Sequence, residues 1–330
     1  MAALPRAAHR VLSGLLLAAA GIGVEAQVQA PVWPSRAVRL VVPYPPGGSA
    51  DILARAFGQK LAELSGQPWI IENRAGAGTA IGTLAVAQAA ADGQVFLLGT
   101  VSSHAINPAL NRRVGYDPIR DFTPVAPLAS IPFALLVHPS VPARSLAELL
   151  ALARSRPDAL TYASAGSGTS NHLAGALLDA TAGIRTMHVP YKGSAPALAD
   201  LLSGQVNMMF DLVLTASPQV RAGSVRALAV SDHQRSANLP GVPTFAEAGL
   251  PGYEVSAWFG VLGPAGVPAT IVSRLASLIA QAQASPDVRE RLASQGAEPM
   301  AGSSADFAAL VKNELERWTA VVKSAGVQAD

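Results

Sequence analysis

The sequence has no cysteine. That excludes a lipid-modified cysteine anchor, a disulfide framework, a thiolate metal site and a thiol nucleophile. An exported protein of this size does without disulfides because its core is large enough. Charge is also scarce. Only 14% of residues are Asp, Glu, Lys or Arg, the net charge is +2, and the basic residues are dispersed. No nucleic-acid surface and no polybasic membrane patch follow from that distribution. Aromatic residues make up 5%. No stretch beyond the first thirty or so residues has the roughly 18 uninterrupted apolar residues of a membrane span.

What is abundant is Gly and Pro, 29 and 25 residues, in a chain that is half hydrophobic. This composition fits a packed α/β protein with many tight turns. The first segment stands apart. Arg6, His9 and Arg10 precede an apolar stretch at 11–24 and then Val24-Glu25-Ala26. A basic start, an apolar centre and a small-residue site predict an export signal, residues 1–26, cleaved near Ala26, and hence an exported protein. About 300 residues then remain, enough for two domains.

The rest alternates between strands and helices. Residues 38–43 read as a strand, which breaks into Tyr44-Pro45-Pro46-Gly47-Gly48-Ser49 and opens a helix at 51–64, stopped by Gly66-Gln67-Pro68. Residues 69–72 form a second strand. It ends in Asn73-Arg74-Ala75-Gly76-Ala77-Gly78, and a helix follows at 81–90. A third strand, 95–99, ends in the polar loop 100–104. This alternation predicts parallel sheet, with ligands beyond the carboxyl ends of the strands. A strand at 131–139 crosses into a second domain. There the strand 160–164 runs into Ala165-Gly166-Ser167-Gly168-Thr169 and another helix. Further strands fall at 206–211 and 225–230, and a return crossing at 255–262. Two helices close the chain, the last opened by a capping box of Ser303 and Asp306. The predicted lobes are 27–130 with 233–330, and 131–232, hinged as a clamshell.

The candidate site is the pair of Gly-rich loops that open helices. Free N–H groups at a helix start attract carboxylates and phosphates. Gly47 and Gly48 let backbone approach a ligand, and Ser49 is a cap or a hydroxyl donor. Facing them stand Ser164, Ala165, Gly166, Gly168 and Thr169, acting through amides and two hydroxyls. Asp51 is either a helix-stabilising charge, an organiser of water, or the partner of a ligand ammonium. His172, in a first helical turn, is a donor or a packing residue. Thr100, Ser102 and Ser103 reach the cleft or lie on a solvated loop. Asp211, at a strand end, reads the far end of the ligand. His188, Tyr191 and Lys192 serve a turn rather than the ligand.

Enzymatic patterns fail. Ala165-Gly166-Ser167-Gly168-Thr169 lacks both outer glycines of the nucleophile elbow. The glycines at 76, 78 and 82 are spaced one residue too far for a dinucleotide loop. The six histidines show no metal-ligand spacing. A Ser164/His172/Asp200 hydrolase has neither an oxyanion motif nor a supported triad order. No enzyme activity, metal or cofactor is expected.

The ordered motifs resemble the Bug family, the TctC-like periplasmic receptors of tripartite tricarboxylate transporters. The resemblance is carried by Pro34-Ser35-Arg36, Val41-Val42-Pro43-Tyr44-Pro45-Pro46-Gly47-Gly48-Ser49-Ala50-Asp51, Glu72-Asn73-Arg74-Ala75-Gly76-Ala77-Gly78 and His104-Ala105-Ile106-Asn107-Pro108. Further carriers are Tyr162-Ala163-Ser164, His188-Val189-Pro190-Tyr191-Lys192-Gly193 and Pro243-Thr244-Phe245-Ala246-Glu247-Ala248-Gly249. It implies an α/β type II periplasmic binding protein with two Rossmann-like lobes and a hinged ligand cleft. It also implies a small carboxylate ligand (a dicarboxylate, tricarboxylate, amino acid or aromatic acid) held by amides, hydroxyls and waters rather than by arginine. The implied partners are the membrane permease subunits, and the receptor itself is expected as a monomer. Ala50 stands where relatives often carry Thr, which removes one hydroxyl beside the site. Two other roles remain: a receptor that signals to a membrane sensor, and a hydrolase on the same fold.

Overall fold

The computed structural model describes residues 33–327. The predicted export signal and its cleavage point lie outside the described residues. The first strand, β1 (Val38–Val42), is almost wholly buried and lies between two parallel neighbours, β2 (Trp69–Asn73) and β3 (Val95–Thr100). Its apolar run is what a strand covered on both faces requires. Between these strands lie α1 (Ser49–Ser65) and α2 (Ala80–Ala87). Gly66 ends α1 in a left-handed cap, φ 70°, its N–H bonded to Ala62 O.

The sheet is mixed rather than parallel as the alternation predicts. Its order is β2-β1-β3, then β9 (Ser256–Pro264), β4 (Phe122–Val137), β7 (Met208–Leu212), β5 (Thr161–Ser164) and β6 (Met187–Pro190). The strand at its centre is β4 (Phe122–Val137), sixteen residues long. The N-terminal part of β4 pairs antiparallel with β9 (Ser256–Pro264), which itself runs antiparallel to β3. From Phe133 onward its partners become β7 (Met208–Leu212) and β8 (Arg226–Val230), both antiparallel. Beyond β7 lie β5 (Thr161–Ser164) and β6 (Met187–Pro190), in parallel register. One continuous strand therefore joins two half-sheets, each carrying its own helices: a two-lobe fold.

The strand expected from 131 begins at Phe122 instead, although it contains Pro124 and Pro127, residues that a central strand ordinarily excludes. The structure accommodates both prolines where the pairing with β9 shifts register, between Pro124 and Ala126 and between Pro127 and Ala129. The polar loop expected at 100–104 is instead helical. A π-helical turn (Ser102–Ile106) runs into α3 (Asn107–Leu110), fully buried through Ile106.

The second half-sheet carries α4 (Leu146–Ser155), α5 (Ser170–Ala182), α6 (Ser194–Leu202) and α7 (Val213–Arg221). Helix α7 holds Pro218 in its interior, which hides it from a propensity-based reading. After β9 come α8 (Ala269–Ala284), the unforeseen α9 (Pro286–Ser294), the short β10 (Glu298–Pro299) and α10 (Ser304–Ala325). Helix α10 packs across β4, α3 and α5. It buries Phe307 edge-on to Trp258, with ring centroids 5.5 Å apart.

The predicted capping box opens α10. Ser303 Oγ accepts from Asp306 N, 3.2 Å, and Asp306 Oδ2 accepts from Ser303 N, 2.9 Å. Ser303→Ala removes the first of these bonds. It is expected to lower unfolding free energy by about 1 kcal/mol, read as a lower urea midpoint at unchanged slope.

Candidate functional site

The loop from β1 to α1 brings its glycines to different tasks. Gly47 adopts φ +86°, a conformation that favours glycine, and lies exposed. Its N–H donates to Asp51 Oδ2 at 3.0 Å, so Asp51 ties the loop back on itself. Asp51 also accepts from Asn73 Nδ2, 3.0 Å, and pairs with Arg55, 2.9 Å. Burial works against its charge, but the bonds from Arg55, the Gly47 amide and Asn73 outweigh burial and hold the carboxyl below its ordinary range. Asp51 thus faces its own loop. Gly48, the residue before α1, offers no side-chain cap, so the first amides of α1 are left for another acceptor.

The same arrangement recurs twice across the cleft. Helix α5 opens after Thr169 and α6 after Gly193, again with no cap from the preceding side chain, though Ser102 Oγ takes the first amide of α5. The three helix starts meet at an inner cavity of ≈ 30 Å³, walled by Gly48, Ser49 and Ala50, by Ser170 and Asn171, and by Ser194 and Ala195. Thr100 and Val101, at the end of β3, close it. On this measure a single water needs about 10–15 Å³, so the cavity takes about two water-sized groups, the footprint of one carboxylate. No lysine or arginine lines it. Tyr44 and Pro45 separate it from an outer cavity of ≈ 400 Å³, whose walls include Gly76, Gly78, Asn107, Gly166, Thr169 and Lys192.

The lobes touch directly around these cavities. Ser49 Oγ lies 3.1 Å from Thr215 Oγ1. Ser102 Oγ donates to Ser170 Oγ, 3.3 Å, and accepts from Ser170 N, 3.0 Å. Backbone approach is close at two further points. A Cβ on Gly78 would stand 2.3 Å from Ser167 O, and one on Gly193 would stand 2.2 Å from Pro45 Cγ.

Of the residues singled out from sequence, Gly48, Ser49 and Thr100 wall the inner cavity, and Ala165, Gly166 and Thr169 wall the outer one. Gly47, Asp51, Ser103, Ser164, Gly168, His172 and Asp211 stand outside both walls. Ser164 Oγ contacts His188 Nε2 at 2.6 Å and accepts from Gly166 N at 3.0 Å, which braces the 164–169 loop. His172 stacks on His188 with ring centroids 4.0 Å apart, and its Nδ1 accepts from Gly168 N. Asp200, the third member of the hydrolase reading, accepts instead from Tyr191 OH at 2.6 Å. Behind Thr100, Ser103 Oγ accepts from Thr100 N, 2.9 Å, and contacts His104 Nδ1, 2.9 Å. Burial pushes His104 down to about 3, so its imidazole is neutral at any physiological pH.

Sequence reasoning missed Ser194, Ser170, Tyr44 and Thr215. Ser194 carried a readable signal: Gly193-Ser194-Ala195 repeats Gly48-Ser49-Ala50, and both tripeptides open a helix on the same cavity.

The model of the tripartite tricarboxylate transporter family receptor, TctC, matches residues 53–327. The chain belongs to that family. Protein BugT of Bordetella pertussis (strain Tohama I) is 36% identical over 316 residues, 96% of each chain. Among solved structures, Rpa4515 of R. palustris, determined with adipate, superposes with TM-score 0.87 at 42% identity, covering 90% of this chain and 99% of its own. MatC of Rhodopseudomonas palustris, with bound malate, gives TM-score 0.84 at 38% identity, covering 88% and 99%. TctC proteins are periplasmic solute-binding receptors, not enzymes, and this chain shares their two-lobe fold. Among the described residues no helix is long and apolar enough to cross a membrane, and no group of acids and histidines is placed to hold a metal.

Proposed function

We propose that this receptor closes its lobes on a small dicarboxylate and passes it to the membrane subunits of a tripartite transporter. One ligand carboxylate occupies the inner cavity against the amides that open α1, α5 and α6 and against the Ser49 and Thr100 hydroxyls. The rest of the ligand extends past Tyr44 and Pro45 into the outer cavity. The observation that carries this reading is the meeting of three helix starts, none capped by its own preceding side chain, at a buried cavity with no cation in its wall. Each such start favours an anion by roughly 0.3–1 kcal/mol, more where water is excluded. Adipate and malate, bound by the two R. palustris proteins, are the first ligands to try.

We place the lobe limits at 131 and 233. These positions adjoin the change of partner along β4 at Phe133 and the end of β8. Export with cleavage near Ala26 and a monomeric receptor complete the reading.

Titration calorimetry of the mature receptor with adipate, malate and their dimethyl esters tests it. Binding of one or both acids at a single site, with no binding of the esters, is expected. Equal affinity for the esters, or no binding of either acid, would overturn it.

A further inference from the structure

Ser49 ends a hydroxyl chain that begins at a buried acid. Its Oγ lies 3.1 Å from Thr215 Oγ1, and Thr215 Oγ1 lies 2.6 Å from Asp211 Oδ2. The other neighbour of the Thr215 hydroxyl is Leu212 O, at the end of β7, at 3.2 Å. Each hydroxyl has one proton to give, so the state of the acid sets the direction of the whole chain. An ionised Asp211 only accepts. Thr215 then donates to it, Ser49 donates to Thr215, and the Ser49 proton points away from the cavity. A protonated Asp211 donates to Thr215, Thr215 donates to Ser49, and the Ser49 proton is free for a ligand oxygen.

We infer that Asp211 and Thr215 are positioning residues that couple carboxylate capture to uptake of one proton, delivered as hydrogen-bond direction through Ser49. The inference rests on the carboxylate reading of the inner cavity. Asp211 does not touch the ligand. The proton stays on Asp211, and no covalent bond to the ligand forms.

The surroundings favour retention of that proton. Asp211 sits on β7 opposite Ala134 of β4, is 1% exposed, and its Oδ1 has no hydrogen-bond partner among the described residues. Strand β4 carries no titratable residue. The other elements packed against β7 bring Tyr162 (β5), His172 and Asp179 (α5), Asp200 (α6) and Arg221 (α7). The cation among them, Arg221, forms no ion pair with Asp211, and Asp200 is engaged by Tyr191. Across the cleft, Asp51 is held by Arg55. Burial accordingly raises the Asp211 carboxyl to about 7, against the opposing pull of the Thr215 hydroxyl and the Leu212 amide. An ionised Asp211, two hydroxyls from the ligand, also repels its charge, so both effects have the same sign.

The test is calorimetric titration with adipate at about pH 6.5 and about pH 8.5, each in two buffers of different ionisation enthalpy. The wild-type Kd is expected to weaken with rising pH, approaching about tenfold per unit above the range of the acid. At the higher pH, binding is expected to take up close to one proton, read from the buffer dependence of the enthalpy. In the Asp211→Asn variant the amide N–H donates to Thr215 in place of the acid proton. That variant is expected to bind across the range as wild type does at the lower pH, without proton uptake. Thr215→Val breaks the chain but leaves Asp211 in place, and is expected to keep only the shallower pH dependence that the charge of Asp211 exerts through space. A pH-independent wild-type Kd without proton uptake, or an unchanged pH slope in the Asp211→Asn variant, would overturn the inference alone. If neither adipate nor malate binds at any pH, the carboxylate reading falls and the inference with it.

Discussion

Gly193→Val is expected to weaken adipate binding about 100-fold, about 2.7 kcal/mol. Gly193 precedes α6 on one side of the cleft and rests against the Pro45 ring on the other, where an added Cβ would come within 2.2 Å of Cγ. The clash lies between a backbone-fixed carbon and a ring, so neither can swing aside. The lobes must stay apart, and the ligand then loses the amides of α5 and α6 while keeping those of α1. Two lost charge-assisted hydrogen bonds account for a loss of this size. The φ of +132° at Gly193 also strains any side chain, so a control is needed. Gly183, φ +61°, has nothing within 4 Å of an added Cβ. Gly183→Val therefore lowers stability without altering Kd, whereas Pro45→Ala combined with Gly193→Ala recovers part of the affinity. Calorimetry gives the affinities, and small-angle scattering with saturating ligand gives the lobe separation.

Asp51→Ala is expected to lower unfolding free energy by about 2–3 kcal/mol and to weaken adipate binding about tenfold. The side chain is buried and accepts from the Gly47 amide, Asn73 and Arg55. Its loss takes the acceptor from the Gly47 amide, leaves Asn73 with Tyr44 O and Arg55 with Asn73 Oδ1, and frees the loop that presents Gly48 and Ser49 to the cavity. The stability effect has a definite pH dependence. Because the folded carboxyl is held below its ordinary range, its contribution is fully present above the unfolded pKa and is lost as pH falls through the folded one. The urea midpoints of wild type and variant therefore differ most near neutrality and converge in strong acid. A gap that persists unchanged in acid would assign Asp51 a packing role without its charge.

Local signals carried much of the fold. The strand-to-glycine-to-helix units around β1 and β5, the stop at Gly66 and the Ser303 capping box are short-range chemistry, and they stand in the structure as the sequence suggests. The mixed sheet was not legible, because β9 enters between β3 and β4 from more than a hundred residues away. Pro124 and Pro127 concealed the first half of β4 for the same reason: bulges that admit proline depend on the partner strand. The polarity of 100–104 suggested a solvated loop, yet inside the protein Ser103 pairs with Thr100 and His104 Nδ1, and Ser102 pairs with Ser170 of the neighbouring lobe.

The candidate site divides in the same way. Gly48 and Ser49 are marked by their own loop, but Ser49 meets Thr215 across 166 positions of sequence, and no spacing rule finds such a pair. Asp211 was conspicuous as an acid ending a strand, while its partner Thr215 lies on a helix that Pro218 disguises. Ser164 and His172 have the composition of a ligand contact. Their hydrogen bonds and stacking instead join His188, on the adjacent β6, to the loop they were expected to present.

The central claim is that the three helix starts hold a carboxylate between closed lobes. A crystal structure of the mature receptor with adipate tests it most directly. One carboxylate is expected within about 3 Å of amides at the starts of α1, α5 and α6 and of the Thr100 hydroxyl, with Ser49 donating to it and Gly193 against Pro45. Adipate lodged wholly in the outer cavity against Lys192, with no carboxylate at the helix starts, would contradict it.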